Sequence, residues 1–536
     1  MKQYIISPWS RLISLLKLDQ SDVSLLYIYA IFSGLVSLSL PLGIQSVIHY
    51  IQAGEITTSW VVSIVLVIIG VLLAGILQIL QLRITENIQQ KIYVRYAFDF
   101  AFRFPRFDRK LLDKMIPSEL MNRFFDIINL QKGISKVLLD FSAAILQILF
   151  SLIVLSFYHP FYIFFSICLI ITLVFLFKPI IQKGFDTSLV ESKYKYKTAY
   201  WLQEIAKTDW SFRLNPIGNH HLKKLDDLTQ GYLTSREAHF KILWKQFSWM
   251  IAFKVIIVTS LLGIGGYLVI DQQMNLGQFV AAEVLIVLIL GAFEKIIQLL
   301  ETLYDVFTSL EKIEQVRDIQ MLNDVVNLTD DFDFSTAFPI ELIDTSINKP
   351  VFRIERGDRV FIQSSNYAQT LHQLKCIVDP SISNQFVPKW NMEIPTHEKT
   401  TQAFCKIGWF SKQTHLFEGT IKENLLMGRT NLNNEVLNEV LDMLTISHLV
   451  QEQVEGYNTL LSKSHYFLND REKELLLLAR AVIGKPDFLV LSFLGSSLKE
   501  NEITAVVEKI TIALPTTTMI LCGDFTAPQN WLIKQL

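Results

Sequence analysis

The sequence predicts two architectures in one chain: a membrane α-helical domain of six transmembrane helices with long polar extensions, followed by an α/β domain. Three observations predict it. Apolar stretches of about the 20 residues needed to cross a bilayer recur six times before residue 301 and not after it. The connections between them are either short and free of Lys and Arg, or long and basic. From about residue 331 the pattern changes to short apolar strands that alternate with helical stretches.

In chain order, residues 1–22 are expected to form an N-terminal segment, 23–310 the membrane domain, 311–330 an acidic linker and 331–536 the α/β domain. The spans fall at 23–46, 60–82, 137–157, 160–182, 248–270 and 275–300. The first begins too late and runs too long for a cleavable signal peptide. The links at 46–59, 158–159 and 271–274 contain no Lys or Arg, whereas residues 83–136 and 183–245 hold eleven each. Basic residues stay on the cytoplasmic side. The short loops are therefore expected to face out and the two long loops in, with both termini cytoplasmic, as in a multi-pass protein of the inner (cytoplasmic) membrane.

The long loops read as helices. Residues 84–104 and 188–207 mix apolar and charged residues at helical spacing, with no Gly or Pro inside either run. Breaks are expected near Phe104-Pro105-Arg106 and Asn215-Pro216-Ile217-Gly218. Lys178 and Lys254 lie near the cytoplasmic ends of their spans, where a long side chain reaches the interface. Glu283 lies deeper, about eight residues or 12 Å of helix inside the last span. It is a transport-path candidate, with an interhelical hydrogen bond as the alternative.

Composition removes several classes. A net charge of −2 gives no electrostatic basis for nucleic acid as a partner. Cys168, Cys376, Cys405 and Cys522 have neither metal-ligand nor redox spacing, so no metal site is expected.

In the second domain, strands are expected at 339–343, 360–362, 488–491 and 519–522. Two stretches then carry a resemblance. Residues 407–428 read IGWFSKQTHLFEGTIKENLLMG, and residues 475–498 read LLLLARAVIGKPDFLVLSFLGSSL. Preceded by six spans with two long inward loops, they resemble an ATP-binding cassette (ABC) exporter half-transporter, of the type-1-secretion and peptide-exporter kind. The resemblance covers nearly the whole chain. Leu276-Gly277-Gln278-Phe279 is similar to the opening of the last span in that family, and Leu416, Phe417, Gly419, Thr420, Ile421 and Asn424 match its most specific cassette stretch. The resemblance implies an α/β ABC-ATPase-like cassette that uses ATP and magnesium, works as a dimer, and meets the membrane domain's coupling segments at residues 407–428.

The departures concern chemistry. A phosphate-binding loop needs glycines so that backbone N–H groups wrap the phosphates, a lysine for the outer oxygens and a hydroxyl for magnesium. The corresponding stretch reads Gln363-Ser364-Ser365-Asn366-Tyr367-Ala368-Gln369-Thr370-Leu371, and no glycine occurs between Gly357 and Gly408. Thr370 reads as a helix-start residue. The acids expected to hold magnesium and polarise water are Ser492 and Phe493, and the switch histidine falls on Gly523. The Gln-loop position is Lys412, with Gln413 beside it. The signature matches Leu468-Asn469-Asp470-Arg471-Glu472, where Asn469 or Asp470 reads as a helix cap. Lys499 stands where the family has aspartate.

Electrostatic stabilisation of the transferred phosphoryl group is most of catalysis in this class, so these losses together predict a degenerate cassette that is not an ATPase and has no bound cofactor. The expected function is a transport subunit whose pseudo-ATPase cassette docks coupling loops and a partner. The partner would be a second copy, another ABC half-transporter or a periplasmic adaptor. The alternative is a structural or regulatory membrane scaffold of a secretion complex that moves nothing. Co-purification of an intact half-transporter separates the two.

Overall fold

The computed structural model describes residues 8–53, 58–107, 117–214, 219–319, 321, 333–364, 366–462 and 468–534. The chain forms two compact units that divide near residue 320.

The first unit is helical. Five stretches among the described residues are long and apolar enough to cross a membrane: Gln20–Gln52, Thr58–Arg106, Glu119–Ser156, His220–Ile270 and Leu276–Arg317. The remaining expected span, 160–182, lies in the continuous helix Pro160–Lys207. Side chains 168, 169 and 172–181, among them Cys168 and Lys178, fall outside the described residues. Several apolar helices of this length make the chain a multi-pass membrane protein.

The first span is not one helix but two, Gln20–Ser37 and Ser39–Ala53. Pro41 has no N–H to offer the Ser37 carbonyl, so the ladder stops there and restarts. The inward extensions are helical: Thr58–Arg103 runs 46 residues unbroken and ends in a single tight turn, Phe104–Arg106. The other expected break, 215–218, lies outside the described residues.

The last helix, Leu276–Arg317, is the hub of this unit, with 22 buried residues along its length. Small residues admit it: a Cβ on Gly133 would lie 2.4 Å from Val306 Cγ2, and one on Gly184 would meet the Tyr304 ring. Its start is pinned. Asn275 accepts from the Gln278 N–H at 2.7 Å, and Gln278 Oε1 takes the Asn275 N–H at 3.1 Å. This reciprocal capping box is the physical content of the Leu276-Gly277-Gln278-Phe279 stretch. At the other end Arg11, on helix Pro8–Lys17, pairs with Glu311 at 3.3 Å and Asp318 at 3.2 Å.

The second unit is α/β, as the sequence predicts. Strands β1 (Ile340–Asp344), β2 (Lys349–Ile354) and β4 (Phe386–Trp390) form an antiparallel sheet in the order β2-β1-β4. Strands β3 (Arg359–Gln363), β5 (Ile407–Phe410), β8 (Phe488–Ser492), β9 (Thr518–Gly523) and β10 (Leu532–Lys534) form a parallel sheet in the order β10-β3-β9-β8-β5. Every residue of β8 and β9 is buried, which explains their unbroken apolar sequences: a central parallel strand is covered on both faces. A short hairpin pairs β6 (Gly419–Thr420) with β7 (Leu460–Leu461). The C-terminal edges of β3, β8 and β9 bring together the loop after Gln363, the pair Ser492-Phe493 and Gly523.

Candidate functional site

The loop after β3 is short. Helix Tyr367–Val378 begins four residues after Gln363. Its first turn is closed by the chain itself: Asn366 Oδ1 accepts from the Gln369 N–H at 3.3 Å, and Asn366 Nδ2 donates to Gln369 Oε1 at 3.1 Å. A helix N-terminus is an anion site because its first N–H groups lack partners, and here one of them is taken. The Ser364 hydroxyl lies 2.6 Å from that of Thr370, which is buried in the helix's first turns. None of Gln363, Ser364 and residues 366–371 has a positive φ, so the backbone makes no left-handed turn around a phosphate there. Ser365 lies outside the described residues.

Beyond the β8 and β9 edges the space is aromatic. Phe493 packs against Phe410 with ring centroids 5.1 Å apart and against Phe525 at 6.4 Å, and Phe525 lies 5.3 Å from Phe361. Phe361, Phe410 and Phe493 are all buried. Gly523 is small because Phe525 covers it: a Cβ there would fall 1.9 Å from the Phe525 ring. Ser492 is buried opposite Cys522 on the neighbouring strand. Burial pushes the Cys522 thiol up to about 12, with the Ser492 hydroxyl acting in the other direction. At neutral pH Cys405, which is exposed, is therefore expected to alkylate with iodoacetamide, while buried Cys376 and Cys522 react only on unfolding. Peptide mapping after labelling checks this; rapid labelling of Cys522 in the folded chain contradicts it.

At the Gln-loop position, Lys412 Nζ donates to the Gly495 carbonyl at 2.7 Å. Its neighbour Gln413 accepts from Lys375, on the helix that follows the short loop. The signature segment opens helix Asp470–Val482 with a capping box: Asn469 Oδ1 accepts from the Glu472 N–H and Glu472 Oε2 from the Asn469 N–H, each at 2.8 Å. Asn469, not Asp470, is thus the cap. Leu468 is buried beneath it. Arg471 turns aside to Glu502 at 2.7 Å. The Glu502 carboxyl is held below the usual range, first by the Lys499 N–H and then by Arg471.

The loop 416–424 is held by its own side chains. Asn424, fully buried, accepts from the Phe417 N–H at 2.9 Å and donates to the Phe417 and Thr420 carbonyls at 2.9 and 3.1 Å. Thr420 and Glu423 form a capping box at the start of helix Ile421–Leu426. Gly419 has no room for a side chain: a Cβ would meet Glu423 Oε2 and the Phe417 ring, each at 2.9 Å. Phe417 is left exposed at the rim of a groove of about 770 Å³, lined also by Leu416, Leu461, Leu468, Lys473 and Leu477.

In the helical unit, Glu283 is half-buried and makes no side-chain hydrogen bond or ion pair among the described residues, so the expected interhelical bond is absent there. Lys254 is paired rather than merely reaching toward an interface: its ammonium lies 3.6 Å from Glu294.

Several residues that complete these sites escape sequence reading. Phe410 and Phe525 converge on Phe493 only in the folded sheet, and Lys375 meets Gln413 across 38 residues. No local signal marks either meeting.

Residues 23–197 match the family model described as the ABC transporter transmembrane region. A protein of Rickettsia prowazekii described as an export ATP-binding/permease protein is 23% identical over 360 residues, 64% of this chain and 62% of that protein. The chain thus spans less than two thirds of the length of that relative. An ABC transporter ATP-binding protein of Mycoplasma pneumoniae is 36% identical over 93 residues, 17% of this chain and 15% of that protein. Among solved structures, a bacterial Atm1-family ABC exporter with ATP bound superposes with a TM-score of 0.74, covering 94% of this chain and 91% of that one at 12% identity. The chain therefore has the ABC-exporter fold, and its resemblance to an exporter half-transporter stands.

One expectation is overturned. The substituted motifs predict that the chain is not an enzyme, yet its relatives are named as ATP-binding proteins and its fold is that of an exporter solved with ATP. Changed side chains at single motif positions do not by themselves establish that an activity class is lost.

Proposed function

We propose that this chain, carrying the ABC-exporter fold, is the membrane-export subunit of an ATP-dependent assembly. It sits in the cytoplasmic membrane with both termini inside and works as a dimer, with a second copy or with another half-transporter. The membrane domain (23–310) supplies part of the path, with Glu283 as its candidate polar contact. The cassette (331–536), joined through the segment 311–330, docks the inward ends of the membrane helices and the partner. The observation that carries this reading is the intact loop 416–424, whose buried Asn424 holds Phe417 at the rim of an open groove. Affinity purification in detergent, with identification of whatever co-purifies, tests it. Recovery of a self-dimer or a half-transporter pair whose ATP turnover falls about tenfold on Phe417→Ala supports it. A monomer with no nucleotide response in any preparation sinks it.

The nucleotide contacts of this cassette are part of the same proposal. With Asn366 closing the helix N-terminus, Ser492 and Phe493 at the acid positions, Gly523 at the switch and Asn469 capping the signature helix, this chain's contribution to triphosphate binding is weak. Isothermal titration of the purified chain alone with a non-hydrolysable ATP analogue and magnesium is expected to give a dissociation constant of roughly 1 mM or weaker, about −4 kcal/mol or less. A sub-micromolar constant contradicts this part of the reading.

A further inference from the structure

The helical unit encloses a polar chamber of about 300 Å³ that the proposed function does not use. Three helices form its wall: Asp126–Lys136, Pro160–Lys207 and Leu276–Arg317. Two of them, Asp126–Lys136 and Leu276–Arg317, meet closely at Gly133 against Val306. Three ammonium groups line the space, those of Lys132, Lys136 and Lys195, and among the described residues none of them forms an ion pair. Ser192, also in the wall, is buried, and its hydroxyl has no hydrogen-bond partner among the described residues.

Three carboxylates face the same space, and two are engaged. Asp126 accepts from the Tyr196 phenol, and Glu191 pairs with Arg236 at 3.4 Å. Asp305 alone makes no ion pair among the described residues. Lys195 lies within electrostatic reach of Asp126 and Asp305, Lys132 and Lys136 form no ion pair among the described residues, and the buried Ser192 hydroxyl is left with a proton to donate. The three ammonium groups are exposed and hydrated, so the buried Ser192 hydroxyl is the group that is costly to leave without a partner.

We infer that this chamber binds a phosphate-bearing anion, held by Lys132, Lys136 and Lys195 and by the Ser192 hydroxyl. Phosphate oxygens accept several charge-assisted hydrogen bonds at once, which suits ammonium groups and a hydroxyl that line one chamber. The chamber's position suggests where the ligand comes from. Lys136 directly precedes the apolar stretch that begins at 137, and Thr302 lies just past the one that ends at 300. The Lys136–Thr302 end of the chamber adjoins the apolar stretches, where basic pockets between membrane helices take anionic lipids, while Ser192 and Lys195 lie ten and thirteen residues past the end of the 160–182 stretch. A free phosphate would satisfy the same groups.

The test uses the full chain in detergent. Native mass spectrometry compares retention of phosphatidylglycerol with that of phosphatidylcholine, and a thermal-shift titration uses inorganic phosphate. The K132Q/K136Q/K195Q triple variant is compared with K132R/K136R/K195R, which keeps the charge. Phosphatidylglycerol is expected to be favoured by about tenfold or more, with the preference lost in the Gln variant and kept in the Arg variant. A shift with inorganic phosphate alone that shows the same variant dependence supports the chamber and assigns it a soluble phosphate. Two results overturn the inference: wild type and Gln variant that bind both probes alike, or Gln and Arg variants that behave identically.

Discussion

Replacing Phe493 with alanine is expected to destabilise the second unit by about 3–5 kcal/mol, the usual cost of emptying a buried phenylalanine site. The ring sits between Phe410 and Phe525 at the end of a fully buried strand, so its removal leaves a cavity the flanking strands cannot close by local adjustment. Phe525 is less buried and lies over Gly523. It is expected to move inward in the variant, recovering part of the loss. Denaturant unfolding of the full chain, followed by tryptophan fluorescence, measures the change. A loss below about 1 kcal/mol would mean the cluster is loosely packed. Phe493→Glu, which puts a carboxylate at the acid position, is expected to cost at least as much, because it buries a charge between the Phe410 and Phe525 rings.

Asn424→Ala is expected to cost about 3 kcal/mol, since it removes three hydrogen bonds at once and leaves the Phe417 N–H with its bonds to water restricted. The loss should be local first. Hydrogen exchange at residues 416–424 is expected to accelerate before the rest of the unit loosens. Asn424→Asp keeps the acceptor for the Phe417 N–H but has no donors for the two carbonyls, so it should fall between wild type and alanine only if the carboxyl protonates. If Asn424→Ala leaves exchange in this loop unchanged, the side chain does not organise the loop.

Much of the architecture was readable from residue order. The basic loops, the six apolar stretches and the all-apolar runs at 488–491 and 519–522 correspond to helices and to fully buried parallel strands. The caps were partly readable: Asn469 followed three residues on by Glu472, and Asn275 followed by Gln278, are both capping-box spacings. Other features were hidden. The break at Leu38 falls inside an apolar run that reads as one span, and Pro41 is the only local sign of it. The aromatic cluster draws on residues 361, 410, 493 and 525, whose meeting depends on strand order rather than spacing. The absence of enzymatic activity is read from side chains alone, and the relatives' names do not support it.

The cap at Asn275 has a mechanical consequence. Leu276–Arg317 is one uninterrupted helix of 42 residues, about 63 Å from end to end. Its angular phase is therefore set where it begins. A single residue inserted just after Asn275 would advance everything downstream by about 1.5 Å and turn it by about 100°. Val306 would rotate away from Gly133, and Tyr304 from Gly184. A small edit at one tip of this rod would thus be felt, undiminished, at the other.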